Sequence, residues 1–189
     1  MKKEQCPVPI WQDPEELKDL VKEVKRIKPQ NILEIGSLNG GTLWTWIHEF
    51  KPRKLCSVDL PVDRGDFRSP DQQHGHNGLW MGWCQKIGCE INVIPGRSDD
   101  PNALSDVLSL SKTYDFIFVD GGHSYAEVKG DYYRFLPLVR KGGIMAFHDI
   151  NEAECPDVVR FWEEIKGIHR HKEFKYLENK WGIGVIYVD

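Results

Sequence analysis

A chain of 189 residues is long enough for one domain with a well-buried core and too short for two of ordinary size, which disfavours two-domain dehydrogenases. A formal net charge of -4 gives no basic excess for nucleic acid, and the lysine-rich beginning runs into no apolar stretch of the kind a signal peptide or membrane span needs; the expected setting is cytoplasmic, with neither partner. The five cysteines, Cys6, Cys56, Cys84, Cys89 and Cys155, are odd in number and form no Cys-x-x-Cys pair, so they fit reduced thiols rather than a disulfide framework or a zinc knuckle.

In the leading segment, residues 1–30, Asp13 caps a helix with Pro14 in its first turn. Leu17, Leu20, Val21, Val24 and Ile27 form its apolar stripe, and Pro29 ends it. From Asn31 to Thr42 an apolar run breaks into glycine and small polar residues and resumes as a helical pattern through Leu43, Trp46, Ile47 and Phe50. That is strand, tight loop and helix, with close approach of a ligand expected at Gly36 and Gly40. The second strand, Lys54 to Leu60, carries Asp59, 23 residues beyond Gly36. An acidic side chain at that spacing accepts hydrogen bonds from ribose hydroxyls, which points to a nucleoside ligand. Ser37, Leu38 and Asn39 separate Gly36 from Gly40, a wider spacing than a pyrophosphate loop prefers, and Glu34 stands two residues before the first glycine.

Residues 61–82 are the least regular stretch, containing Arg64, Asp66, Arg68, His74 and His76, and are expected to form an acceptor-side loop. His74 and His76 have the spacing of two ligands on an extended face, although in a polar loop such a pair is ordinarily solvated. Trp80, Trp83, Cys84 and Ile87 fall at helical spacing, which favours packing over a substrate box; the tryptophans suit a homo-oligomer contact as well as an acceptor. A third strand, Cys89 to Gly96, runs into Arg97 and Ser98, and Asp100 with Pro101 opens a helix whose inward residues are expected to be Leu104, Val107 and Leu108.

The strand from Asp115 stops at Asp120-Gly121-Gly122-His123, and Ser124 to Glu127 makes a capping box for the next helix. That helix is interrupted near Pro137 and closed by Lys141 to Gly143; a fifth strand, Ile144 to Phe147, ends at His148-Asp149. Adjacent parallel strands thus deliver Asp120 and Asp149 to one sheet edge. Paired carboxylates there suit a hard cation such as magnesium, and His123 and His148 are the natural general bases for an alcohol proton. Cys155-Pro156 opens the last helix, His169 to Lys172 read as a solvated connection, and Phe174 to Leu177 with Ile183 to Val188 form a hairpin.

The pattern Glu34-x-Gly36-Ser37-x-x-Gly40-Gly41-Thr42 resembles motif I of class I S-adenosylmethionine-dependent methyltransferases, with Leu38 where many members have glycine. Val119 to Tyr125, Gly142-Gly143 and Phe147 to Asp149 are similar to the small-molecule O-methyltransferases that include macrocin-type and cephalosporin-hydroxylase-like proteins. The resemblance covers Asn31 to Asp189. It implies a single α/β domain over residues 1–189, a three-layer Rossmann-like fold, with a seven-stranded, mostly parallel sheet ending in an antiparallel hairpin, and methyl transfer from S-adenosylmethionine to a small-molecule hydroxyl. By the same resemblance Glu34, Gly36, Ser37, Gly40, Asp120 and Gly121 line the cofactor, Asp59 holds its ribose, Arg97 and Ser98 flank its adenine, and Asp120 takes part in catalysis with His123 or His148. Metal-dependent members hold magnesium with an aspartate after the fourth strand and an acidic pair after the fifth. Asp120 and Asp149 match, whereas His148 takes the first place of that pair. A nicotinamide-dependent oxidoreductase, a non-catalytic cofactor-binding protein and a hydroxylase-like enzyme remain the alternatives.

Overall fold

The computed structural model describes residues 5–60 and 77–189. Arg64, Asp66, Arg68, His74 and His76, and all of the expected acceptor-side loop before Asn77, lie outside the described residues.

Helix α1 (Pro14–Lys25) begins where the Asp13 carboxylate accepts the amides of Glu15 and Glu16, and it buries Leu17, Leu20, Val21 and Val24 as its apolar stripe requires. Strand β1 (Asn31–Ile35), helix α2 (Gly41–Phe50), strand β2 (Lys54–Asp59), helix α3 (Asn77–Ile87), strand β3 (Glu90–Pro95), helix α4 (Pro101–Leu110) and strand β4 (Tyr114–Val119) follow in alternation. After them come α5 (Tyr125–Phe135), β5 (Val139–Phe147), α6 (Pro156–Lys166), β6 (Arg170–Phe174) and β7 (Ile183–Tyr187). The sheet order is β3-β2-β1-β4-β5-β7-β6. Strands β1 to β5 pair in parallel, and β7 runs antiparallel to both β5 and β6.

Because side chains alternate across a strand, each central strand feeds two cores. Phe116 and Phe118 of β4 pack with α1, α2 and α3, while Ile117 and Val119 pack with α4, α5 and α6. Trp80, Trp83 and Cys84 are buried in the first of these cores, so the helical spacing there does reflect packing, and the helix begins at Asn77 within what the sequence suggested was loop.

Elsewhere two boundaries and one helix face differ from expectation. Lys141 to Gly143 do not close a helix but lie inside β5, where pairing jumps from Tyr114 opposite Val139 to Phe116 opposite Ile144. The bulge uses Gly142 at φ +73°, and a side chain on Gly143 would strike the Asp115 carbonyl. The stretch read as a solvated connection contains the start of β6, with Arg170 opposite Tyr187. Its polar residues are an edge strand's outward side chains: the Arg170 guanidinium covers the Tyr187 ring, and Lys172 pairs with Glu23 at 3.0 Å. In α4 Ala103 and Val107 are buried and Leu104 packs partly buried against the same core, as expected of Leu104 and Val107, whereas Leu108 is exposed.

Candidate active site

Between β1 and α2 the chain turns through Gly36 (φ +79°), Leu38 (φ +48°) and Gly40 (φ +83°). A Cβ on Gly36 would sit 2.0 Å from the Asp120 carbonyl oxygen, and one on Gly40 would sit 2.1 Å from Trp80 Nε1. Both glycines are thus required by the protein's own packing as well as by left-handed backbone. Trp80 Nε1 donates to the Asn39 carbonyl at 3.1 Å and fixes the loop from behind. Leu38 adopts the left-handed conformation that a glycine would supply without strain.

The carboxyl ends of β1, β2, β3, β4 and β5 open onto a cavity of about 670 Å³. Gly36 and Ser37 form one wall, with Ser37 Oγ 2.8 Å from Ser57 Oγ beneath it. Asp59, at the end of β2, lines the same end and accepts the Leu60 amide through Oδ1 at 2.8 Å. Arg97 and Ser98 reach the cavity from the end of β3, but the Arg97 guanidinium is already paired with Asp99 and, at 2.9 Å, with Glu127. Glu34 and Gly40, expected as lining, stand behind the wall. Glu34 is fully buried and accepts hydrogen bonds from Thr42 Oγ1 at 2.8 Å and from Trp46 Nε1, tying β1 to α2. Burial pushes its carboxyl up to about 8, against the opposing hydrogen bonds of Thr42, Trp46 and Ser37.

At the opposite end Asp120, Gly121 and His123 follow β4, and His148 and Asp149 follow β5. Asp149 is in the left-handed region at φ +61°. The loop after it is held to the β6–β7 connection, where the amide of Asn151 donates to the carbonyl of Trp181 at 2.8 Å. Glu16 of α1 in turn accepts the Gly182 amide at 2.9 Å, which fixes Trp181 at the cavity wall.

These side chains form one continuous chain of contacts. His123 Nε2 lies 3.2 Å from Asp149 Oδ2; Asp149 Oδ1 lies 3.1 Å from His148 Nδ1; the same nitrogen lies 3.2 Å from Asp120 Oδ1. Gln12 Nε2 closes the chain by donating to Asp120 Oδ2 at 2.6 Å. Gln12 was not expected from the sequence. It sits just before the Asp13 cap and 108 positions from its partner, so no local pattern marks it. Burial alone would lower His148, but Asp120 and Asp149 outweigh it and hold the imidazole up at about 10. Asp149 is buried, which alone would raise it, yet His123 and His148 hold it well below the usual carboxylate range. Asp149 also raises His123, which remains half exposed at the cavity surface. His148 Nε2 is buried with no partner.

Among the described residues two groups have the proximity of metal ligands: Asp120, His148 and Asp149, and His123, Asp149 and Cys155. The first does not fit magnesium well, because that ion asks for oxygen donors and here a ring nitrogen stands between the two carboxylates. In the second, burial and then Asp149 and other nearby acids push the Cys155 thiol up to about 12, away from the thiolate a soft metal needs. No helix among the described residues is long and apolar enough to cross a membrane.

Against proteins already described, a methyltransferase-domain family matches residues 33–150. Demethylmacrocin O-methyltransferase of Streptomyces fradiae is 24% identical over 66% of this chain and 28% of its own length. An uncharacterized protein of Sinorhizobium fredii is 24% identical over 87% of this chain and 18% of its own, so the chain spans only a fraction of these relatives. Among solved structures, an O-methyltransferase from Bacillus cereus in complex with S-adenosylhomocysteine superposes with a TM-score of 0.66 at 16% identity, covering 93% of this chain and 81% of that one. A tomaymycin-synthesis O-methyltransferase from Streptomyces achromogenes in complex with S-adenosylmethionine gives a TM-score of 0.65 at 14% identity, covering 94% and 81%. The glycine loop, the strand-end carboxylates and the antiparallel β7 belong to one Rossmann-like methyltransferase architecture, and the chain is a member of the methyltransferase-domain family.

Proposed function

We propose that this chain transfers a methyl group from S-adenosylmethionine to a hydroxyl oxygen of a small molecule. The observation that carries the reading is the single cavity joining the Gly36–Asp59 end to the His123–Asp149 end, a nucleoside-sized cradle next to an oriented base. Asp59 accepts the ribose hydroxyls. Gly96 to Ser98 flank the adenine, and Gly36, Ser37, Asp120 and Gly121 face the methionine portion. The names of the relatives that bind the same cofactor support this assignment.

His123 is the proton acceptor in this scheme. With Nε2–H directed at Asp149, its Nδ1 is the nitrogen that receives the acceptor's proton. As the oxygen attacks, the new O–C bond forms while the C–S bond breaks, its electron pair returns to sulfur, and the sulfonium charge disappears. The hydroxyl proton ends on His123. Holding oxygen, carbon and sulfur in line supplies most of the acceleration, and Asp149 stabilises the imidazolium that results. His148 is not a base in this scheme, since its Nδ1 is shared by two carboxylates and its Nε2 is sealed.

Calorimetric titration with S-adenosylhomocysteine and NAD in parallel, followed by transfer of labelled methyl from S-adenosylmethionine to a panel of sugars and phenols, tests the reading. Saturable binding of S-adenosylhomocysteine with acceptor-dependent transfer is expected. Preference for NAD, or binding without transfer to any hydroxyl, would overturn it.

A further inference from the structure

The arrangement after β4 and β5 brings together two carboxylates of the kind that would share a divalent cation, yet all four of their oxygens are already engaged. Asp120 Oδ1 lies against His148 Nδ1 and its Oδ2 accepts from Gln12 Nε2; Asp149 Oδ1 lies against His148 Nδ1 and its Oδ2 against His123 Nε2. The His148 ring is the centre of this set. Its Nδ1 lies at 3.2 and 3.1 Å from the two inner oxygens, between the carboxylates that an ion would have to bridge. The residue is 6% exposed, and its second ring nitrogen is closed off from solvent.

We infer that this site works without a divalent cation, His148 standing where the ion would stand and holding Asp120 and Asp149 in register for the cavity. To hold magnesium between Asp120 and Asp149 the protein would have to move a buried imidazole from between the two inner oxygens and leave its N–H without those acceptors. Nothing in the local chain favours that exchange: His148 is the last residue before the Asp149 turn, its amide donates to the Val119 carbonyl at 3.0 Å, and it has nowhere exposed to swing. His148 and Gln12 between them thus occupy three of the four carboxylate oxygens. His148 and Gln12 are positioning residues; His123 is the group that meets the acceptor. The inference concerns the same cavity as the methyl-transfer reading and rests on that reading only for the identity of the acceptor end.

The test is titration of magnesium, manganese and zinc chlorides, separately, into wild type, Asp149→Asn and His148→Asp, each with S-adenosylhomocysteine present, read by calorimetry and by melting temperature. Wild type should show no saturable binding of any of the three ions at this site and an unchanged melting temperature. His148→Asp, which supplies an oxygen donor and removes the ring, should gain magnesium or manganese binding at least about tenfold tighter than wild type. Should that variant lose stability on its own, the metal should raise its melting temperature and leave wild type's alone. Saturable binding to wild type that Asp149→Asn abolishes would overturn the inference, as would a His148→Asp variant that folds and stays indifferent to all three ions. Binding that survives Asp149→Asn lies elsewhere on the chain and counts in its favour. Failure of S-adenosylhomocysteine to bind would instead strike the methyl-transfer reading, while the metal titrations would still stand.

Discussion

At the β1–β2 end of the cavity the residues that shape the wall sit within a few positions of one another or on the neighbouring strand. At the β4–β5 end the wall is side chains gathered from the leading segment, two strand-end loops and the β6–β7 connection. The first end is rigid because substitutions have no room: Gly36 abuts Asp120, Gly40 abuts Trp80, and Glu34 lies beneath them with its oxygens bound. The second end is set by charge, with two carboxylates and two imidazoles in alternation. In the proposed reaction the cofactor, the same in every turnover, would meet the rigid end, and the proton that must move would meet groups whose ionisation can be tuned.

Separating the two ends experimentally should show binding and chemistry failing independently. The largest effect is expected for His123→Ala, which should lower methyl transfer by about 10² to 10³ with S-adenosylhomocysteine affinity unchanged, measured by single-turnover transfer and calorimetry. An equal loss of affinity would show that His123 holds cofactor rather than the proton. Next, Asp59→Ala should weaken S-adenosylhomocysteine by about ten- to a hundredfold with the circular dichroism spectrum intact, the two hydrogen bonds to ribose being lost. Unchanged affinity would remove Asp59 from the ribose site.

The buried Glu34 gives the comparison a stability readout. Its carboxyl titrates near 8 in the folded protein against an ordinary 4.5, so the folded state holds a proton that the unfolded state releases. Its contribution to stability is therefore present below the ordinary value, declines as pH rises toward 8, and is flat above. Denaturant unfolding of wild type and Glu34→Gln across pH 5 to 9 should show wild type losing ground to the variant over that window; parallel curves would mean that Glu34 is ionised throughout. The smallest effect belongs to Gln12→Ala, which should slow transfer roughly fivefold, about 1 kcal/mol, through loss of one hydrogen bond to Asp120 while leaving cofactor affinity alone. No change in rate would make Gln12 a packing residue.

Much of this protein was legible in its residues because the signals are local. The Asp13 and Asp100 caps, the capping box of Ser124 and Glu127, and the stripe of α1 all act within one or two turns, and each appears as read. The strand-end positions of Asp120 and Asp149 followed from apolar runs that stop at a carboxylate. The β5 bulge and the early start of β6 did not follow, since Lys141-Gly142-Gly143 has the composition of a helix stop and His169 to Lys172 that of a solvated link. In both, cross-strand pairing overrode composition.

The order of elements, the glycine turn and the chemical types at the strand ends were determined by the sequence alone, because periodicity, capping and backbone freedom depend on near neighbours. Which of those residues face the cavity was decided only by tertiary structure. Glu34 turned inward to Thr42 and Trp46, Arg97 was claimed by Asp99 and Glu127, and Gln12 and Trp181 reached the site across the whole chain. A polar group takes whatever hydrogen-bond partner the fold brings within reach, and no spacing along the chain encodes that meeting.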